Sequence, residues 1–314
     1  MSTPDLLLWL RAHSTLWLDT VMGVTTYLGS DYFYLAALSF LYWCVDSLGT
    51  MRLFVLFLSS FYLGDAVKEI TRLPRPFQVH PEIEPRFAET AEGFAFPSGH
   101  ALQATVFWGW LAISFRKRWL YIAAPILALL IGFSRLYLGL HWPRDVLAGL
   151  VIGLAILGFA YVLMRVLASM PIRAHFPATL VFCLLPLLLF LLFPSHGGAQ
   201  SMGALFGAIL GQLLERQYIH FRVRGPAWQQ LLKALIGLAG AFLLFFGLRA
   251  LFDPLLPSRE VIQVTPGTPA PAFRGFLYGR GYESLTFVCY ALVGLWATLV
   301  APALFRLFFG REEE

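Results

Sequence analysis

Charge is what this sequence has least of. Only 13% of its 314 residues are Asp, Glu, Lys or Arg, against 58% hydrophobic residues and a mean hydropathy of +0.70. A soluble domain carries about 25% charged residues, so much of this chain's surface is not built for water. The shortage excludes a disordered chain, a nucleic-acid binder and an ordinary soluble enzyme; a polytopic membrane protein remains. Cysteine is scarce too. Cys44, Cys183 and Cys289 lie far apart in apolar stretches, offer no metal-ligand spacing and read as buried apolar residues. No internal repeat is visible. The amino terminus, with Asp5 in place of a basic start and no small-residue cleavage site, is not expected to be a cleaved signal peptide. The formal charge of +5 requires no nucleic-acid partner, because basic loops are expected beside an anionic membrane face.

What the chain has in abundance is long apolar runs. A bilayer-crossing helix takes about 20 mostly apolar residues. Runs of this kind are expected at 21–44, 53–67, 101–115, 119–138, 146–164, 178–193, 200–214, 231–252 and 285–309, giving an all-α transmembrane helical bundle of about nine spans. A short segment, 6–10, has interfacial character. Gly203, Gly207 and Gly211 recur every fourth residue and form a smooth stripe suited to close helix packing. Two polar loops, 71–96 and 253–283, interrupt the pattern, and the Glu312-Glu313-Glu314 tail reads as a solvated charge run. Lys and Arg scattered over short loops, such as Arg116-Lys117-Arg118, Arg165 and Arg173, mark the cytoplasmic side. The loop at 71–96 is then expected on the non-cytoplasmic face.

Ionisable residues at membrane ends are costly and point to function. Three groups are expected on that same side. Lys68 closes one span and is followed by Arg75-Pro76; Pro97-Ser98-Gly99-His100 opens the next. Ser134-Arg135 closes another, and His141 and Asp145 open the one after it. Lys68, Arg75 and Arg135 suit the oxygens of a phosphate and the charge that develops on them during transfer. Ser98 and Gly99 at a helix start add free backbone N–H groups. Two histidines can share the remaining work, one attacking phosphorus and the other protonating the leaving oxygen. Asp145, one helical turn after His141, can hold that ring's other N–H and fix its tautomer.

The ordered set Lys68-x6-Arg75-Pro76, Pro97-Ser98-Gly99-His100 and Ser134-Arg135-x5-His141-x3-Asp145 resembles the three-part signature of the phosphatidic acid phosphatase type 2 superfamily. The resemblance covers roughly residues 20–165, with every signature position filled. It implies that His141 is the nucleophile that forms a phosphohistidine, and that His100 is the general acid and then the base that activates water. It implies that Asp145 orients His141, while Lys68, Arg75, Ser98, Gly99 and Arg135 bind the phosphoryl group. It implies no metal and no cofactor, in keeping with three cations and no carboxylate cluster fit for Mg²⁺. The expected organisation is a phosphatase core at 1–166 and additional transmembrane helices at 167–314. Those later helices either complete a lipid cleft or form a homodimer surface.

The expected reaction is removal of a phosphate from a lipid phosphate or polyprenyl diphosphate, whose headgroup meets water while its chains lie in the bilayer. A second reading keeps the chemistry and exchanges the substrate for a soluble sugar phosphate, as in glucose-6-phosphatase, which about nine spans also resemble. A third is a non-catalytic transporter or lipid-binding protein with an inert phosphate pocket. Taken singly, the site residues have plainer readings: Lys68 and Arg135 as snorkelling anchors, His100 and His141 as packing residues. Arg72, Arg144 and His196 are open as substrate contacts. His80, Glu82, Glu84, Arg86, Glu89 and Glu92 read as a solvated lid surface, and Tyr137 and Trp142 as interfacial aromatic belt.

Overall fold

The structure, a computed structural model, describes residues 3–91, 93–169, 176–252 and 274–309. Every regular element among them is helical. In chain order they are α1 (Thr3–Ala12), α2 (Leu16–Tyr27), α3 (Asp31–Cys44), α4 (Ser47–Thr71), a short α5 (Pro76–Val79) and α6 (Gly99–Phe115). There follow α7 (Arg118–Tyr137), α8 (Pro143–Ser169), α9 (Phe176–Leu192), α10 (His196–Leu214), α11 (Ala227–Phe252), α12 (Arg274–Leu295) and α13 (Ala301–Phe309). Among the described residues, four stretches are long and apolar enough to cross a bilayer: Arg118–Tyr137, Pro143–Val166, Ala227–Leu251 and Gly281–Phe309. Helix α4 has the length, at 25 residues, but carries Arg52, Asp65, Lys68 and Glu69.

Two boundaries differ from expectation. The run 21–44 forms two helices, because the N–H groups of Leu28, Gly29 and Ser30 turn back onto the carbonyls of Thr25, Thr26 and Tyr27. The Ser30 hydroxyl then accepts from Phe33 N at 3.3 Å and starts α3. Helix α12 begins at Arg274, inside the expected second loop. The rest of that loop, 253–273, lies outside the described residues, as do Glu92, Arg173 and the acidic tail.

The chain divides into two compact units, Met1–Leu38 with Arg52–Ala174, and Ser39–Met51 with His175–Glu314. In the first, α6 packs between α7 and α8. Helix α8 reaches the first turns of α6 through two glycines: a Cβ at Gly149 would stand 2.6 Å from the Ser98 carbonyl oxygen, and one at Gly153 would stand 2.7 Å from Thr105 Cβ. Helix α7 turns Leu120, Ala124, Ala128 and Ile131 inward, the three-and-four spacing of a helix face, and continues that stripe into Ser134 and Arg135. The short segment 6–10 is two-faced: Leu7 and Leu10 of α1 pack with Ile83, Ala95 and Trp142, while Trp9 stays half exposed.

The second unit is built on the pair α10 and α12. Gly203 and Gly207 lie against the Phe287 and Ala291 backbone, and Gly294 of α12 lies against Ala204 and Ala208 in return. The glycine stripe expected for close packing is thus occupied within the chain. Trp43 covers Gly237 and donates from Nε1 to the Ala297 carbonyl at 2.6 Å.

Candidate active site

Each residue of the expected site sits at the end of an element in the first unit. Lys68 lies in the last turn of α4, and Arg75 directly precedes α5. Ser98 precedes α6, whose first turn holds Gly99 and His100. Arg135 ends α7, His141 stands in the link, and Asp145 opens α8. The structure brings them together. A Cβ at Gly99 would lie 3.6 Å from Lys68 Nζ. Ser98 N donates to the Asp145 carbonyl at 2.9 Å, which ties the first turns of α6 and α8.

Arg75 is the keystone of the loop between α4 and α6, with only 2% of its surface exposed. Its Nε donates to the Gly93 carbonyl at 2.9 Å, Nη2 to Phe94 at 3.3 Å and Nη1 to Leu140 at 3.0 Å. A planar guanidinium can span these oxygens at once; a lysine ammonium cannot. Nη1 also lies 3.1 Å from His141 Nε2. A guanidinium only donates, so this contact makes Nε2 the lone-pair nitrogen and places the ring proton on Nδ1. Nδ1 faces Asp145 Oδ2 at 3.5 Å, and that carboxylate is held by the Trp142 N–H at 2.8 Å. Burial first, and then the charges of Arg75, Arg135 and Lys68, hold His141 well below the usual imidazole pKa. The ring is therefore neutral at pH 7, with its Nε2 lone pair turned to Arg75.

Three buried polar atoms around it have no hydrogen-bond partner among the described residues: Ser98 Oγ, His100 Nε2 and Arg135 Nε. Each such group costs about 1–3 kcal/mol if left unsatisfied. Their concentration at one place marks a site built for a ligand. Ser98 is not used as a helix cap, so its hydroxyl is free to meet an anion at the start of α6. Gly29, in the break between α2 and α3, makes room for the His100 ring: a Cβ there would stand 2.9 Å from His100 Cδ2. The donor set suits a phosphoryl group. Among the described residues no three His, Cys, Asp or Glu side chains gather as metal ligands.

Other residues named from sequence lie elsewhere. Arg72 is exposed and pairs with Glu69 at 4.0 Å; Arg144 is exposed, with Nε 3.7 Å from Asp145. His80 pairs at the surface with Glu82 at 2.9 Å. His196 belongs to the second unit, where it meets Glu283 at 3.2 Å and Gln200 at 2.9 Å. Tyr137 and Trp142, expected in an aromatic belt, are buried in protein, with Trp142 donating to the Pro74 carbonyl at 3.2 Å. The loop is not merely solvated: Arg86 pairs with buried Asp19 at 3.2 Å, and Glu89 accepts from Tyr27 at 3.2 Å. Sequence reasoning missed Thr26, Thr90 and Asp19 altogether. Hydroxyls and one carboxylate near apolar runs carry no spacing signal, and only the loop's return over α2 reveals them.

The model of the PAP2 superfamily matches residues 49–168, and that of the "PAP2 superfamily phosphatase, transmembrane extension" matches residues 199–312. The chain is 33% identical over 141 residues to mouse sphingosine-1-phosphate phosphatase 2, a match covering 43% of this chain and 39% of that protein. It is 30% identical over 151 residues to phosphatidylglycerophosphatase B of Bacillus subtilis, covering 44% and 71%. To the undecaprenyl-diphosphatase of Sulfolobus acidocaldarius it is 35% identical over 106 residues, covering 33% and 49%. The chain thus spans well under half the length of the sphingosine-1-phosphate phosphatases it matches. A crystal structure of a transmembrane PAP2-type phosphatidylglycerolphosphate phosphatase from Bacillus subtilis aligns with a TM-score of 0.46 at 25% identity, over 55% of this chain and 87% of that one.

Proposed function

The chain belongs to the PAP2 superfamily, and from that premise we propose that it is an integral-membrane phosphatase acting on a lipid phosphate or polyprenyl diphosphate through a phosphohistidine. The observation that carries this reading is the 3.1 Å contact between Arg75 Nη1 and His141 Nε2, which leaves Nε2 as the lone-pair nitrogen beside a guanidinium. Nε2 attacks phosphorus as the bond to the leaving oxygen breaks, and His100, protonated once the bound phosphoryl group offsets the neighbouring cations, gives that oxygen its proton. His100 then takes a proton from water, whose oxygen attacks phosphorus and breaks the N–P bond, releasing phosphate. Asp145 stabilises the imidazolium character that builds on His141. Lys68, Arg75, Arg135, Ser98 and the Gly99 N–H hold the phosphoryl oxygens. No step uses a metal ion. The phosphatase core is the span 1–166.

The substrate class has separate support. The site lies at helix ends, where a headgroup in water can reach it from the bilayer, and the relatives named above act on lipid-linked phosphates. Helix α6 carries the chain about 25 Å from the site to the basic run Arg116-Lys117-Arg118. A basic run at the far end supports the non-cytoplasmic face as the side of the site. The test is phosphate release by purified protein in EDTA, with phosphatidic acid, sphingosine-1-phosphate, a polyprenyl diphosphate and a sugar phosphate as substrates. Release from a lipid-linked substrate is expected, with His141→Ala lowering it about 10³-fold or more. Activity that needs an added metal, or an active His141→Ala protein, would overturn the mechanism. Preference for the sugar phosphate would overturn the substrate class.

A further inference from the structure

Arg135 has no exposed surface, and among the described residues no carboxylate lies within ion-pair distance of it. Its partners are uncharged oxygens. Nη1 donates to Thr26 Oγ1 at 2.6 Å and to Thr90 Oγ1 at 2.8 Å, and Nη2 donates to the Thr90 carbonyl at 3.0 Å. A guanidinium has five N–H bonds. Both on Nη1 and one on Nη2 are used. Those remaining are Nε–H, buried and without a partner, and the second N–H of Nη2. Thr90 takes the Nη1/Nη2 edge through its hydroxyl and carbonyl, and Thr26 takes the outer Nη1 proton. The Nε/Nη2 edge is left open, with two parallel N–H bonds matched to two oxygens of one phosphoryl group. Neutral hydrogen-bond partners orient the fork without pairing its charge; a carboxylate bound there would occupy it.

Helix α2 sets this arrangement along one face. Asp19, Gly23 and Thr26, spaced four and three apart, are its buried residues. Asp19 pairs with Arg86 at 3.2 Å and with Arg11 at 3.5 Å. Gly23 leaves room for the Phe87 ring, which a Cβ would overlap. Tyr27, beside Thr26, reaches Glu89 at 3.2 Å. Loop residues 86, 87 and 89 are therefore held on α2, and Thr90 follows directly. All of α2 precedes residue 49, where the match to the family model begins.

We propose that Thr26 and Thr90 are positioning residues that present the Nε/Nη2 edge of Arg135 to the substrate phosphate, so that α2 supplies part of the phosphate site. This rests on the phosphatase reading above. The test is steady-state phosphate release together with inhibition by orthovanadate, on full-length protein in lipid nanodiscs. Thr26→Val keeps the shape and removes the hydroxyl. Its kcat/KM is expected to fall about 10- to 100-fold, the scale of a hydrogen bond to a charged group, and the vanadate inhibition constant to rise by a similar factor. Thr26→Ser is expected to recover activity to within about threefold. The loss should not add to that of Arg135→Lys, because both act through one side chain. Thr20→Val, on the same helix with its hydroxyl bonded to the Leu16 carbonyl, is expected to change nothing. Thr90→Val is the second variant should Thr26→Val fail to fold. If wild-type protein releases no phosphate from any substrate, the phosphatase reading falls. If wild type is active and both valine variants stay within twofold of it, or their losses add fully to Arg135→Lys or resist serine rescue, this proposal alone falls.

Discussion

The two units of the chain solve the problem of an apolar environment in opposite ways. The second brings backbone against backbone: Gly203 and Gly207 of α10 touch the Phe287 and Ala291 main chain, and Gly294 of α12 answers against Ala204 and Ala208. Its close contact comes from atoms that were left out. The first unit gathers Arg75, Arg135, His141 and Asp145 in its interior and holds a 27-residue connection between α4 and α6 over them. That connection is tied down by side chains donating to carbonyls, as Arg75 does to Gly93, Phe94 and Leu140. Dense helix packing needs no particular chemistry, whereas a cage of cations needs a hydrogen-bond partner for each donor it does not reserve for substrate. Stability in the second unit is therefore sensitive to volume, and order in the first to the identity of single polar atoms.

The largest effect that would sharpen this contrast is expected at Arg75. Arg75→Lys keeps the charge but cannot span the same carbonyls and His141 Nε2, and phosphate release should fall about 10²–10³-fold. Measured on protein with an unchanged melting temperature, a loss under threefold would break the claim that donor geometry, not charge, orders the loop. The next effect lies in the second unit. Gly207→Leu places a side chain against the Ala291 main chain and should destabilise the protein by about 1–3 kcal/mol. Denaturant or thermal unfolding in detergent checks it, with kcat per folded molecule unchanged. If the variant instead lost activity while staying equally stable, the division of labour between the units would fail.

The smallest effect concerns pH. Because burial and neighbouring cations hold His141 below the usual imidazole range, its ring should stay neutral as pH falls through about 6.5, where an unperturbed histidine is half protonated. In ¹⁵N-histidine NMR, the resonance lost in His141→Asn should show no titration between about pH 7.5 and 5.5. The linkage has a definite sign. Below about pH 6.5 the unfolded chain binds a proton that the folded site refuses, so this group's contribution to stability is full above that pH and declines as pH falls toward the folded pKa. A His141 that titrated normally would remove the electrostatic reason for a neutral nucleophile.

Much of the candidate site was legible because its chemistry is written in short runs at helix ends. Pro97-Ser98-Gly99-His100 and Ser134-Arg135 fall where apolar periodicity starts or stops, so the depth they share follows from the spans themselves. The glycine stripe was legible for a similar reason, since four-residue spacing fixes a helix face. The break at 28–30 was not. Leu28, Gly29 and Ser30 sit inside a long apolar run, and hydropathy does not register the hydrogen bonds that close α2 and start α3. Tyr137 and Trp142 were misplaced because an amphipathic ring at a membrane end reads alike whether lipid or protein covers it.

The sequence by itself determined that this is a helical membrane protein and which eight residues, from Lys68 to Asp145, are the candidates for phosphate chemistry. Both follow from local properties: apolar length, helix-end position and the titration class of a side chain. Only the tertiary structure decided how those residues are held. Which nitrogen of His141 bears the proton depends on Arg75, 66 residues away in the chain. Which edge of Arg135 stays open depends on Thr26 and Thr90, at separations of 109 and 45 residues. Hydrogen bonds act over about 3 Å, and a chain folded back on itself sets those distances in a way that no spacing along the sequence records.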